Sequence, residues 1–179
     1  MNKTFAMLSL SLFIVSCATL PAGMPETTSA TIGSDVRTQA DAYYHFIIGR
    51  LSEEEGEYDV AMKEYAEAFR LDPKAVEVTL SLASLALRMG KPDQAARFAQ
   101  RAADLQPENP QPLMLLANIY TSKKRYDDAV TAYRKVIALN PQQEDSYLYL
   151  GSLFASLKRF DEAVETFHAL DKINPALLM

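Results

Sequence analysis

Apolar residues recur three and four positions apart in eight segments of this chain, and polar or proline-containing breaks separate the segments. That spacing is the mark of helices that bury one face. The pattern predicts helices over Ala42–Glu55 and Tyr58–Arg70, Val76–Met89 and Pro92–Asp104, Pro110–Lys123 and Tyr126–Ala138, and Asp145–Leu157 and Phe160–Lys172. Gly56-Glu57 turns the chain between the first two. Pro92 and Pro110 fall in first turns, where a missing N–H costs little. Each pair of helices ends just before one of four prolines, Pro73, Pro107, Pro141 and Pro175, which stand 34 residues apart.

Other positions repeat with the prolines. Ala61, Ala95, Ala129 and Ala163 precede them by twelve residues, and Leu71, Leu105, Leu139 and Ile173 by two. Ile48-Gly49, Leu82-Ala83, Leu116-Ala117 and Leu150-Gly151 occupy one further register, and no insertion interrupts the period. A fixed period of this length marks a stacked solenoid, in which a hairpin that cannot bury its own apolar face packs on its neighbours. The small residues let two backbones approach, and the large ones fill the space between hairpins.

The pattern resembles the tetratricopeptide repeat, with its W-x2-L-G-x2-Y…A-x3-F…P signature. The Leu-Gly pair, the alanine and the proline are kept throughout, and Tyr65, Tyr133 and Phe167 fill the aromatic register. Ala99 departs from that register, with Phe98 beside it. The inner tyrosine survives as Tyr120, with Phe154 similar, while Ser52 and Ala86 replace it elsewhere; His45, Thr79, Leu113 and Tyr147 stand at the tryptophan register. The resemblance implies an all-α, right-handed solenoid of four helix-turn-helix units at about 42–75, 76–109, 110–143 and 144–177, within an array spanning 35–175.

Ahead of the array lie a single early cation, Lys3, the apolar run Phe5 to Val15 and then Ser16-Cys17, the layout of a secretory signal over residues 1–16. The run is shorter than the roughly 20 apolar residues that span a bilayer. Ile14-Val15-Ser16-Cys17 resembles the bacterial lipobox, which implies cleavage before Cys17 and acylation of its thiol. Cys17 is the one cysteine of the chain, so no disulfide competes for it. Several acyl chains together anchor stably, each buried methylene contributing about 0.8 kcal/mol. Ala18 follows the cysteine where the family's inner-membrane retention signal has Asp, so the resemblance implies the periplasmic face of the outer membrane. Residues 17–34, rich in Pro, Thr, Ser, Ala and Gly, read as the lipidated cysteine and a flexible tether, with Ser34 placed to cap a helix running from Asp35.

The chain carries 18 Lys+Arg against 23 Asp+Glu, and losing Lys3 with the signal makes the balance more acidic still. That charge disfavours nucleic acid and anionic lipid surfaces. Chemistry is equally sparse. His45 and His168 lie in different repeats without a convergent ligand set, and neither a cofactor loop nor a metal motif is present. His45 reads as a packing or surface residue, and Glu53-Glu54-Glu55 as a solvated helix end, because consecutive helical residues do not share a face. No nucleophile–base–orienter set emerges, so the chain reads as a binding protein, not an enzyme.

In the resembled family the first helix of each unit lines a concave groove. Carried over by register, that groove presents Tyr43, Phe46 and Arg50, then Glu77, Leu80, Ser84 and Leu87, then Gln111, Met114, Asn118 and Thr121, and last Asp145, Leu148 and Ser152. Phe46, Leu80, Met114 and Leu148 make one apolar stripe, which suits either a ligand or the helix–helix core. The family's two-carboxylate clamp needs Lys, Arg and Asn where this chain has Phe46, Arg50, Ser81, Gln111 and Leu115, so only Arg50 fits. The groove suits an extended or helical protein segment with spaced apolar side chains.

After Pro175 only the apolar stub 176–179 remains, without the polar capping helix that usually closes a solenoid. The outer side of the last hairpin, with Val164, Phe167 and Leu170, is therefore expected to be partly uncovered. Two explanations stay open: a longer array cut short, or an end that docks on a partner or a second copy. The function expected is a lipid-anchored periplasmic scaffold for envelope assembly. The alternative is the N-terminal repeat segment of a larger envelope enzyme or polysaccharide-export protein whose activity lies beyond residue 179.

Overall fold

The computed structural model describes residues 27–175, and the elements are α1 (Thr27–Glu54), α2 (Tyr58–Leu71), α3 (Val76–Arg88), α4 (Pro92–Leu105), α5 (Pro110–Ser122), α6 (Tyr126–Leu139), α7 (Glu144–Ser156) and α8 (Phe160–Ile173). The signal segment, Cys17, the first part of the expected tether and the stub 176–179 lie outside the described residues. Every described element is a helix, and α2 to α8 begin and end within one residue of the expected limits.

The first helix differs. It starts at Thr27, inside the stretch expected as tether, and Ser34 lies within it instead of capping it. No proline follows Pro25 in this stretch. Once the hairpin has nucleated a helix, each added residue gains a hydrogen bond, and the opposing propensities are small, about 1 kcal/mol at Gly33 and less at each Thr and Ser.

Helices pair as antiparallel hairpins, α1 with α2, α3 with α4, α5 with α6 and α7 with α8, and each second helix packs on the first helix of the next hairpin. Two kinds of turn alternate. Inside each hairpin one residue takes positive φ: Gly56 (82°), Gly90 (71°), Lys124 (58°) and Lys158 (60°). The next N–H reaches back five residues, as from Glu57 to the Ser52 carbonyl at 2.8 Å and from Arg125 to that of Tyr120 at 2.8 Å, which is the Schellman closure of a helix end. Between hairpins the prolines take the second position of a β-turn closed by Ala75 N–H to Asp72 O (3.2 Å), Asn109 to Gln106 (3.0 Å) and Gln143 to Asn140 (3.1 Å). Proline's fixed φ suits that position. This turn is the physical origin of the proline period.

Three buried clusters run along the solenoid. Ala61, Tyr65 and Ala68 of α2 meet Val78, Leu82 and Leu85 of α3. Ala95, Ala99 and Ala103 of α4 join Ala83 and Ala86 to Leu116 and Ile119 of α5. Val130 and Tyr133 of α6 meet Leu150, Leu153 and Phe154 of α7, with Ala163 of α8 behind them. Each cluster ties one hairpin to the next. Gly49 and Gly151 sit under rings: an added Cβ would fall 2.6 Å from the Tyr65 ring in the first case and 2.6 Å from the Phe167 ring in the second.

One expectation about the last hairpin is corrected. Val164 is exposed and Phe167 partly so, but Leu170 is fully buried. Ala163, Phe167 and Leu170 follow one helical face, the inner one, whereas Phe160 and Val164 point outward.

Candidate functional site: a groove along the first helices

Helices α1, α3, α5 and α7 line one side of the solenoid, and their side chains shape three clefts there. None of the groove residues expected from register is fully buried. Tyr43, Arg50, Glu77, Ser84, Gln111, Asn118, Asp145 and Ser152 are exposed; Phe46, Leu80, Leu87, Met114, Thr121 and Leu148 are half-buried.

The first cleft, about 450 Å³, lies between α1 and α3 and is lined by Arg50, Glu53, Glu54, Leu80, Ser81, Ser84 and Arg88. Its floor is a hydrogen-bonded strut. Tyr65 Oη donates to Glu53 Oε2 at 2.8 Å, and Arg88 Nη1 donates to Glu53 Oε1 at 3.0 Å. Arg88 Nη2 also donates to Tyr58 Oη at 2.6 Å, with the guanidinium 4.8 Å above the Tyr58 ring. Glu53 is therefore not the solvated helix end expected of the acidic triplet. Only 17% of its side chain is exposed, and it couples the first repeat to the second. Burial, followed by the bond to Glu53, pushes the Tyr65 phenol far above its ordinary range, so this hydroxyl stays a donor. Arg50 and Glu54 form a looser, exposed pair at 3.7 Å.

A second cleft, about 400 Å³, lies between α5 and α7 and carries no charge: Asn118, Thr121, Ser122, Tyr133, Tyr149, Ser152, Leu153 and Ser156. Tyr133 Oη donates to Asn118 Oδ1 at 2.7 Å, and its ring stacks on Tyr149 with centroids 6.2 Å apart. Thr121, Ser122 and Ser156 donate their hydroxyl protons to the carbonyls of Ala117, Ile119 and Leu153 at 2.7 to 2.8 Å. Their oxygens are left as acceptors, and the Asn118 amide supplies donors. A third cleft, about 390 Å³ and mostly apolar, opens by Tyr43, Phe46, Ala75 and Val78.

The structure thus gathers Arg50, Leu80 and Ser84 in one cleft, Asn118, Thr121 and Ser152 in another, and Tyr43, Phe46 and Glu77 in the third. Leu87, Gln111, Met114, Asp145 and Leu148 line none of the three. The apolar stripe divides: Phe46 packs on the core with its ring 5.8 Å from that of Tyr65, and Met114 packs on the α6–α7 cluster, whereas Leu80 opens to the first cleft.

Register reading missed Glu54, Arg88, Ser122 and Ser156, each four residues past Arg50, Ser84, Asn118 and Ser152 and therefore one turn along the same face. The helical period alone would have added them. His45, expected as a packing or surface residue, is half-buried and bonded through Nδ1 to Glu64 Oε2 at 2.7 Å, pinning α1 to α2. Among the described residues no group of three or more His, Cys, Asp or Glu side chains is placed to hold a metal, and no helix is long and apolar enough to cross a membrane.

Models of the tetratricopeptide repeat match residues 42–75, 80–144 and 125–177. No curated protein matches the sequence. Among solved structures, MamA is 24% identical with a TM-score of 0.69, over 75% of this chain and 74% of that one. YrrB, described as having an unusual peptide-binding site, is 16% identical with a TM-score of 0.67 over 84% and 83%. The first repeat domain of Spaghetti (RPAP3), solved with the HSP90 peptide SRMEEVD, is 19% identical with a TM-score of 0.63 over 67% and 95%. With repeat models covering more than half of its length and four such hairpins in register, this chain belongs to the tetratricopeptide repeat family.

Proposed function

We propose that this chain is a lipid-anchored scaffold on the periplasmic face of the bacterial outer membrane, holding a segment of another envelope protein in the α1–α3–α5–α7 groove. The observation that carries the binding reading is the pair of clefts two repeats apart, charged between α1 and α3 and uncharged between α5 and α7. A segment lying along both presents a charged pair to Arg50 and Glu54, an apolar side chain to Leu80, and N–H or O–H donors to the hydroxyl oxygens of the second cleft. The HSP90 peptide bound by the Spaghetti (RPAP3) repeat domain and the peptide-binding site of YrrB support a peptide-like ligand. Anchoring rests on Ile14-Val15-Ser16-Cys17.

Two measurements test the two halves. Labelled palmitate should enter the full chain and vanish in Cys17→Ser; persistent label refutes the anchor assignment. A photo-crosslinker at Ser84 or Ser152 should trap one defined envelope protein, and Leu80→Glu should abolish the adduct from Ser84 while helicity is kept. Equal trapping from Lys63, exposed on α2, would overturn the groove assignment.

A further inference from the structure

The two ends of the described solenoid expose residues whose equivalents are buried or half-buried inside it. On α1, Tyr44 is 60% exposed and Leu51 50%, with Ile48 half-buried between them. The same registers on α3 hold Val78, Leu82 and Leu85; on α5, Pro112, Leu116 and Ile119; on α7, Ser146, Leu150 and Leu153. All nine of those are buried, beneath the second helix of the preceding hairpin. Val36, 60% exposed, extends the α1 surface towards its N-terminus.

At the other end, Phe160 is 62% exposed and Val164 53%. Their equivalents are Tyr126 and Val130 on α6, which pack with Tyr133 against Leu150 and Leu153 of α7, Pro92 and Ala96 on α4, of which Ala96 packs against the cluster of Leu116 and Ile119, and Tyr58 and Met62 on α2, which pack against the cluster of Val78, Leu82 and Leu85; Val130 is buried and the other five are half-buried. By register, the exposed α8 face and the exposed α1 face correspond to the two sides of the contact that joins one hairpin to the next inside the chain. The chain itself already builds that interface three times.

We infer that copies of this chain associate head to tail, the Phe160–Val164 face of α8 in one copy packing on the Tyr44–Ile48–Leu51 face of α1 in the next. The contact continues the internal repeat-to-repeat packing across two molecules. Asp171 bounds it, standing where inner repeats carry Phe69, Ala103 and Ile137, so the seam is confined to the first half of α8. A contact joining two different faces leaves a free face at each end, so it grows into a ladder instead of closing as a dimer. The inference stands apart from the groove and from the anchor.

The test uses the full chain in detergent solution, with chemical cross-linking across a concentration series. The wild type should give dimers, trimers and higher rungs. Tyr44→Glu with Leu51→Glu disables one face, and Phe160→Glu with Val164→Glu the other; because all four positions are exposed, helicity should be unchanged by circular dichroism. Each variant alone should lose oligomers at least tenfold, and a mixture of the two should regain dimers but no trimers, since one intact face of each kind remains. A wild type that stays monomeric overturns the inference. So does a single-face variant that still dimerises, because that requires like faces to pair.

Discussion

At the scale of single residues, two glycines show how far a helix interior follows from what lies across it. Gly49 and Gly151 stand at the register that Ala83 and Ala117 fill in the other repeats, and in both a methyl group would strike an aromatic ring at 2.6 Å. The outcome depends on whether the ring can yield. Tyr65 is fully buried and held by Glu53, whereas Phe167 is half-exposed on the last helix. Alanine gains about 1 kcal/mol of helix propensity over glycine, and overpacking a rigid core costs about 1–3 kcal/mol. Gly49→Ala should therefore destabilise by up to about 2 kcal/mol, and Gly151→Ala should be neutral or slightly stabilising. Urea midpoints of the two variants would separate these cases; equal losses would mean that ring freedom does not decide the cost. The sequence shows the small register but not this difference, because the partner ring lies sixteen positions away and its mobility depends on whether another hairpin covers it. The Glu53–Arg88 strut was hidden for the same reason: its partners are 35 residues apart, and local acidity alone suggests a solvated end.

At the scale of elements, seven of the eight helices were legible because prolines, glycines and a fixed period punctuate them. The start of α1 was not, since an unfavourable composition without a breaker does not stop a helix already begun. The hairpin turns show a second limit. Position φ is positive at four equivalent sites, yet only Gly56 and Gly90 announce it; Lys124 and Lys158 adopt the same conformation with a side chain that disfavours it. A left-handed residue with a Cβ costs on the order of 1 kcal/mol, partly offset by the greater unfolded-state entropy of glycine. Lys124→Gly and Lys158→Gly should each stabilise by about 0.5–1 kcal/mol, and their gains should add because the sites lie in different repeats. Thermal unfolding of the single and double variants checks both statements. Destabilisation by either glycine would show that the lysine makes a contact worth more than its backbone strain.

At the scale of the whole molecule, stability is built from contacts between neighbours, because the main packing runs from each helix to the next in sequence. Such a chain behaves nearly as a one-dimensional array, and its parts can open separately. Leu116 and Leu170 make the test. Both are buried, but Leu116 lies in the central cluster joining α3 and α4 to α5, whereas Leu170 belongs to the last helix. Truncating a buried leucine to alanine costs about 2–5 kcal/mol. At Leu170 that loss should stay local: faster amide exchange in α7 and α8, little change in α1 to α4. At Leu116 it falls on the junction both halves share, so exchange should quicken on either side, in α3 and α4 as well as in α5 and α6. A groove that spans α1 to α7 needs all four first helices in register at once. Leu116→Ala should therefore loosen the hold on a ligand contacting both clefts, although it touches neither, and Leu170→Ala should spare the first cleft. If both variants speed exchange uniformly along the chain, the repeats fold as one unit and the neighbour-by-neighbour account fails.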